Sequence, residues 1–495
     1  MTAARRTVAA VDIGAESGRV CTVDFDGRSL TLEVGHRFEH SPLTRNGGLH
    51  WDLDRIDTEV TAGLARLSRS DRSIASVGVD TWGVDYGLLD RDGGLVDLPG
   101  CHRDPSRVAA MHRAIESVGA ESMYDSTGIQ ITPINTVFGL LSDLHEHPDR
   151  IANAATMLML PDVFHHRLSG STVTEFTAAS TSGAYDMSGR RWAVDLLDRL
   201  GIPVRLLPEV VAPGTDVGPL RDGTGALAGT RVILPPGHDT ASAVVAVPFT
   251  EPHALFISSG TWSLVGVEVD HAITTAAARQ ANLSNEGGYD STIRLLRNVM
   301  GLWLLQECRK QWAIEGTELT YQEIADAAEA EPGLTSLIDP DSTVFLAPGD
   351  MPARIRAYCA ETGGPVPHSI GEIARCVADS LALSYAAVAD DIADVTGVRP
   401  PAVHVVGGGA SHRLLAQLTA DAVGVPVLTG PVEATALGNA AAQLVALGEL
   451  AGLPQIRDVV RATTDVERYE PRPRQEWADA HARFKNLPRL ATTRS

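Results

Sequence analysis

The sequence predicts a mixed α/β protein of two domains, on three observations. Its 495 residues exceed what one hydrophobic core serves, since a domain typically takes about 100–200 residues. One device, an apolar strand, a tight turn of glycine and small residues and a returning strand, occurs at 7–25 (TVAAVDIGAESGRVCTVDF). It recurs at 253–268 (HALFISSGTWSLVGVE), about 245 residues further on, which suggests two similar halves. Between the two, apolar runs of strand length alternate with stretches of helical period.

Taken in order, the first hairpin ends its outgoing strand on Asp12 and turns through Ala15, Glu16, Ser17 and Gly18 to Arg19. The run IASVGVD (74–80) reads as a buried strand that delivers Asp80-Thr81-Trp82-Gly83-Val84-Asp85 at its carboxyl end, where ligands sit in α/β sheets. Pro235-Pro236-Gly237 forms a turn at the expected domain break near residue 245. The second hairpin turns through Ser258-Ser259-Gly260-Thr261. RNVMGLWLLQECRK (297–310), read as helical, puts Asn298 and Gln306 on one face. Apolar spacing over 372–396 predicts a long amphipathic helix, and VHVVGGG (403–409) a strand running into three glycines before a helix. The domains are therefore expected at 1–245 and 246–470, with a peripheral tail at 471–495.

Composition narrows the function. With 44% hydrophobic and 21% charged residues the chain is ordinary globular material, and its net charge of −21 repels nucleic acid and anionic membrane. The two lysines, Lys310 and Lys485, do not follow a glycine-rich stretch, so the lysine-containing phosphate loop is absent and nucleotide must be held by another cradle. Five cysteines without a C-x-x-C pair point to reduced thiols, with a Cys359–Cys376 pair as the alternative. The opening MTAARRTVAAVDIG has too short an apolar stretch for a signal sequence, and no run approaches the ~18 apolar residues of a membrane span. The expected location is the cytoplasm, as monomer or homodimer.

Two Gly/Ser/Thr hairpins offer backbone N–H groups and hydroxyls without bulk, which suits wrapping a polyphosphate; each is also readable as a mere tight turn. Asp12 is a candidate to hold Mg2+ through water. Asp239, after the Pro-Pro-Gly-His turn, is a candidate proton acceptor for phosphoryl transfer to a hydroxyl, and equally a helix N-cap for TASAVVAV. Gly83 permits close approach of a ligand to backbone, and Trp82 is either a stacking surface or plain core. Adjacent His165-His166 point in different directions on a helix and complete no metal site.

VDIGAESGR, ISSGTWSL and VVGGG, in this order and spacing, resemble the FGGY carbohydrate kinases of the actin-like ATPase superfamily, over roughly residues 5–475. GGLHWDLDRI, GVDTWGVDYGLLD, LPDVFHHRLSG, GHDTASAV, RNVMGLWLLQ and GPVEATALGN are similar to the branch acting on L-rhamnulose. The resemblance implies two actin-like (ribonuclease H-like) domains with an ATP and sugar cleft between them, and phosphorylation of L-rhamnulose at C1. L-fuculose, D-xylulose and glycerol stand as alternative acceptors, and a non-catalytic nucleotide-binding regulator as the alternative of another class. It implies Asp239 as catalytic residue, sugar contacts at Gly83, His238, Asp239, Thr240 and Asn298, and ATP contacts at Ala15, Glu16, Ser17, Gly18, Arg19, Thr261, Gln306 and Gly408. The chain departs from the pattern at Ala410-Ser411-His412, where relatives often carry Gln or Asn, which leaves the adenine-edge contact open.

Overall fold

The protein is described by a computed structural model at residues 5–472 and 475–488. It forms two compact units: the first comprises the chain up to Pro248, Glu268–Leu295 and Glu433–Thr464; the second Phe249–Val267, Leu296–Val432 and the described residues from Asp465 onward. The units are therefore discontinuous in sequence, and 268–295 and 433–464, expected in the second domain, pack in the first.

Unit 1 is built on β1 (Arg6–Ile13), β2 (Ser17–Phe25), β3 (Leu30–Glu39), β4 (Ile74–Thr81), β5 (Asp216–Pro219) and β6 (Arg231–Ile233), in the order β5-β6-β4-β1-β2-β3. β1, β2 and β3 pair antiparallel, while β1, β4 and β6 run parallel. β1 is buried from Thr7 to Ile13, because the sheet is covered on both faces, and it accordingly reads as an unbroken run of small and apolar residues. Helix Leu53–Leu67 turns Leu53, Ile56, Val60, Leu64 and Leu67 inward at the spacing of a helical stripe. Helix Ala434–Ala446 packs on β1 and β4, and Gly438 is there because a Cβ would meet the Ser242 carbonyl oxygen at 1.8 Å.

Unit 2 carries β7 (Leu255–Ser259), β8 (Trp262–Val269, within this unit up to Val267), β9 (Ile293–Met300, within this unit from Leu296), β10 (Val403–Val406), β11 (Val427–Thr429) and β12 (Glu467–Tyr469), ordered β9-β8-β7-β10-β11-β12. A β7–β8 hairpin, parallel β7, β10 and β11, and an antiparallel edge at β12 repeat the path of β1, β2, β4, β6 and β5. Helix Ile370–Thr396 starts on a Ser369–Glu372 capping box and ends on left-handed Gly397.

Two sequence expectations are corrected here. The 297–310 stretch is not one helix: β9 ends at Met300 and a helix begins at Trp303. Gly301 makes the break, since a Cβ there would lie 2.6–2.8 Å from Ser263 and the Trp262 backbone. The tail is not merely peripheral: Gln475–Lys485 is a helix that buries Trp477 and packs on Ile370–Thr396, and Arg472 pairs with buried Asp421. Pro473, Arg474 and 489–495 lie outside the described residues.

Candidate active site

Strand register assembles the charged end of unit 1. Asp12 stands opposite Arg19 across the β1–β2 hairpin and beside Asp80 across the parallel β1–β4 pair. Arg19 donates through Nε and Nη2 to Asp12 Oδ2 at 2.9 and 2.6 Å, and its Nη1 reaches Glu433 Oε2 at 2.6 Å. The Ala15–Ser17 turn between them is partly open, and Gly18 is fixed as glycine by the Phe38 ring, 2.2 Å from where a Cβ would stand. Asp80 is fully buried; Asn439 donates to its Oδ2 at 2.5 Å, while Oδ1 has no hydrogen-bond partner. Burial and neighbouring Asp12, with Asp239 adding to them, push the Asp80 carboxyl well above its usual range.

Thr81 continues this row to the Gly237-His238 segment, where the Thr81 N–H donates to the Gly237 carbonyl at 2.9 Å. That segment is held by Glu175, a buried carboxylate that accepts from Gly237 N at 2.8 Å and from Thr177 N and Ala178 N. Desolvation raises Glu175 to about 7. Asp239 is the first residue of helix Asp239–Val245, with His238 at the cap position, so the expected N-cap role is corrected by one residue. Its half-buried carboxylate accepts from Thr240 N at 2.5 Å and Thr240 Oγ1 at 3.2 Å, with His238 Nε2 at 3.4 Å. Desolvation, reinforced by the Asp12 charge, raises the Asp239 carboxyl against the opposing pull of His238.

Gly83 lies beside these groups: a Cβ would fall 3.0 Å from Thr181 and 3.2 Å from His238 Nε2. The next residue, Val84, holds φ +67, a strained conformation for a β-branched residue, pinned by Thr181 Oγ1 at its N–H and Thr136 Oγ1 at its carbonyl. Trp82 belongs to the core instead of offering an open stacking face. Its ring stacks on His40, packs on Trp51, and donates to Asp85 Oδ2 at 2.8 Å. Asp85, fully buried, also takes Trp51, His102 and Arg107 as donors; despite its burial, His102 and Arg107 bring it down to about 2.

Unit 2 contains a cavity of about 820 Å³ lined by Gly260, Gln306, Tyr321, Gly408, His412 and Arg472 among others. Gly408 has open space where a Cβ would be, and Gln306 Oε1 is a buried acceptor without a hydrogen-bond partner. His412 takes the helix cap at Arg413–Val423, its ring accepting from Leu415 N, and burial lowers its basicity. Thr261 sits next to Gly260 in the β7–β8 turn, whose carbonyls accept from the start of helix Trp303–Ile314. Asn298 lies on β9 and Gln306 on that helix, so they do not share a helical face.

Reading the residues alone missed Glu433, Asn439, Glu286 and Arg294. The first two lie in GPVEATALGN, a run whose local pattern says nothing of the distant strand end it serves. All five cysteines are buried free thiols. Among the described residues no helix is long and apolar enough to cross a membrane, and no three His, Cys, Asp or Glu side chains converge as direct metal ligands. The orphaned Asp80 Oδ1 beside Asp12 nevertheless suits a hydrated divalent cation, which keeps several of its waters.

A sheet path used twice, a carboxylate row at the strand ends of one unit and a glycine-edged cavity in the other are features that a nucleotide-dependent phosphotransferase of duplicated α/β architecture requires. The chain belongs to the FGGY family of carbohydrate kinases, its N-terminal domain matching at 7–246 and its C-terminal domain at 255–447. It is 40% identical to the rhamnulokinase of Pectobacterium carotovorum, covering 98% of this chain and 97% of that one, and 38% identical to that of Bacteroides thetaiotaomicron, covering 97% and 99%. In fold it is similar to the ligand-bound xylulose kinase of Lactobacillus acidophilus, with a TM-score of 0.79 at 19% identity over 97% and 96% of the two chains.

Proposed function

We propose that this kinase transfers the γ-phosphoryl group of ATP to the C1 hydroxyl of L-rhamnulose, giving L-rhamnulose 1-phosphate and ADP. The observation that carries the chemistry is Asp239: a half-buried carboxylate, raised in basicity, with His238, Thr240 and Gly83 around it. The choice of sugar rests on rhamnulokinases about 40% identical over nearly the whole chain.

Asp239 orients the acceptor hydroxyl and takes its proton as the bond to phosphorus forms. Backbone donors of the Ala15–Gly18 turn and Arg19 would meet the phosphates, as would Thr261, and fixed donors there stabilise developing charge. Magnesium, when bound with ATP, offsets phosphate charge; Asp12 and Asp80 would hold it through water. Gln306 and Gly408 take the adenosine end, and Asn298 with Gly83, His238 and Thr240 the sugar. The composition and buried thiols fit a cytoplasmic enzyme.

Incubation with MgATP and L-rhamnulose tests the reading: 31P and 1H spectra of the product are expected to show a phosphate monoester at C1. An ester at another carbon, or no ester while a different sugar is phosphorylated, overturns it.

A further inference from the structure

Behind His238 lies a buried ion pair that the proposed reaction does not use. Arg294, wholly excluded from solvent, donates through Nε to the Gly287 carbonyl at 2.8 Å and places Nη2 3.3 Å from Glu286 Oε2. The same Nη2 is 3.2 Å from His238 Nδ1, and His238 Nε2 is 3.4 Å from Asp239 Oδ1. Glu286 and Arg294 thus both meet His238 at Nδ1, and Asp239 lies at its Nε2.

A guanidinium has no acceptor, so the atom it meets must offer a lone pair. His238 Nδ1 is then the unprotonated ring nitrogen, and the proton is on Nε2, the nitrogen that lies 3.4 Å from Asp239 Oδ1. We propose that Arg294, held by Glu286, is a positioning residue that fixes the Nε2–H tautomer of His238 and so keeps an N–H donor group, instead of a lone pair, beside the proton acceptor Asp239. The donor stabilises the carboxylate form against the charges that oppose it. Asp12 on β1 and Asp80 on β4 face Asp239; Glu286, Arg294 and Asp239 face His238, and Glu175 underlies the same loop through Gly237. Glu286 Oε2 is also 3.4 Å from His238 Nδ1. Without Arg294 the ring is free to turn its proton to Glu286, leaving Nε2 as a second acceptor beside Asp239.

The kinetic part of this inference rests on the function proposed above, while the tautomer does not. The full-length protein, with 15N-labelled histidine, is examined near pH 7.5 by long-range 1H–15N correlation, His238 being assigned by its loss in His238→Gln. The expected pattern is the Nε2–H tautomer; an Nδ1–H pattern overturns the proposal. The double variant Arg294→Met with Glu286→Gln removes both charges together, which avoids leaving one of them buried alone, and keeps an amide oxygen that can accept from Nδ1–H. Its His238 is expected to lose the single-tautomer pattern, and its acid limb of kcat to move up by about one pH unit. A double variant that keeps both the wild-type tautomer and the wild-type limb overturns the proposal. Should it not fold, the wild-type spectrum alone decides. A wild-type enzyme that turns over no sugar removes the kinase reading and leaves the tautomer result standing.

Discussion

Asp239 illustrates how a site is made from neighbours. Desolvation raises its carboxyl, and the charge of Asp12 at the strand end adds to that. A proton acceptor works deprotonated, so raising its pKa moves the acid limb of kcat/KM upward. Activity is expected to be full well above that point and to fall as pH drops through it, at a pH above the ordinary aspartate value; a limb near pH 4 or below contradicts this. Gly83 offers a second test at this scale. An alanine methyl must displace Thr181 or His238 Nε2 by a few tenths of an ångström, and both are held by other bonds. Gly83→Ala is expected to lower kcat about tenfold, ~1.4 kcal/mol in the barrier, in a protein whose melting temperature is nearly unchanged. Asp85 shows the opposite outcome for a carboxylate: five donor contacts on one buried side chain leave it nothing to give a substrate.

At the scale of elements, hairpins and helices differ in how legible they are. The β1–β2 and β7–β8 hairpins announce themselves, because apolar runs flank a turn of residues small enough to let backbone approach. Ile370–Thr396 does the same through its period and its cap. Ile293–Met300 does not: a short apolar run satisfies both strand and helix spacing, and the deciding contact, Gly301 against β8, is invisible in local sequence. The turn at Gly408 yields a prediction. With no atom within 4 Å of a Cβ and no strained backbone, Gly408→Val should fold normally and fill part of the cavity. KM for ATP is expected to rise about tenfold with KM for the sugar unchanged, measured by varying each substrate in turn. An unchanged KM for ATP places the nucleotide elsewhere.

For the whole molecule, internal repetition was readable and chain exchange was not. The second sheet repeats the order of the first, as two similar hairpins about 245 residues apart imply. The return of 433–464 to unit 1, which brings Glu433 to Arg19 and Asn439 to Asp80, depends on contacts between residues hundreds of positions apart and leaves no periodic trace. The C-terminal helix was undervalued for a related reason: it buries only Trp477 and Ala480, and that burial depends on Ile370–Thr396. Trp477→Ala is expected to cost about 3 kcal/mol of unfolding free energy, read from the denaturation midpoint; a loss below ~1 kcal/mol means the helix is dispensable.

The central claim is best tested by coupled ADP release from the purified enzyme with MgATP and L-rhamnulose, beside L-fuculose, D-xylulose and glycerol, with Asp239→Asn as control. The account predicts the highest kcat/KM for L-rhamnulose and a fall of at least about a hundredfold in kcat for Asp239→Asn. Preference for another sugar contradicts the substrate, and near-wild-type turnover by the variant contradicts Asp239 as the proton acceptor.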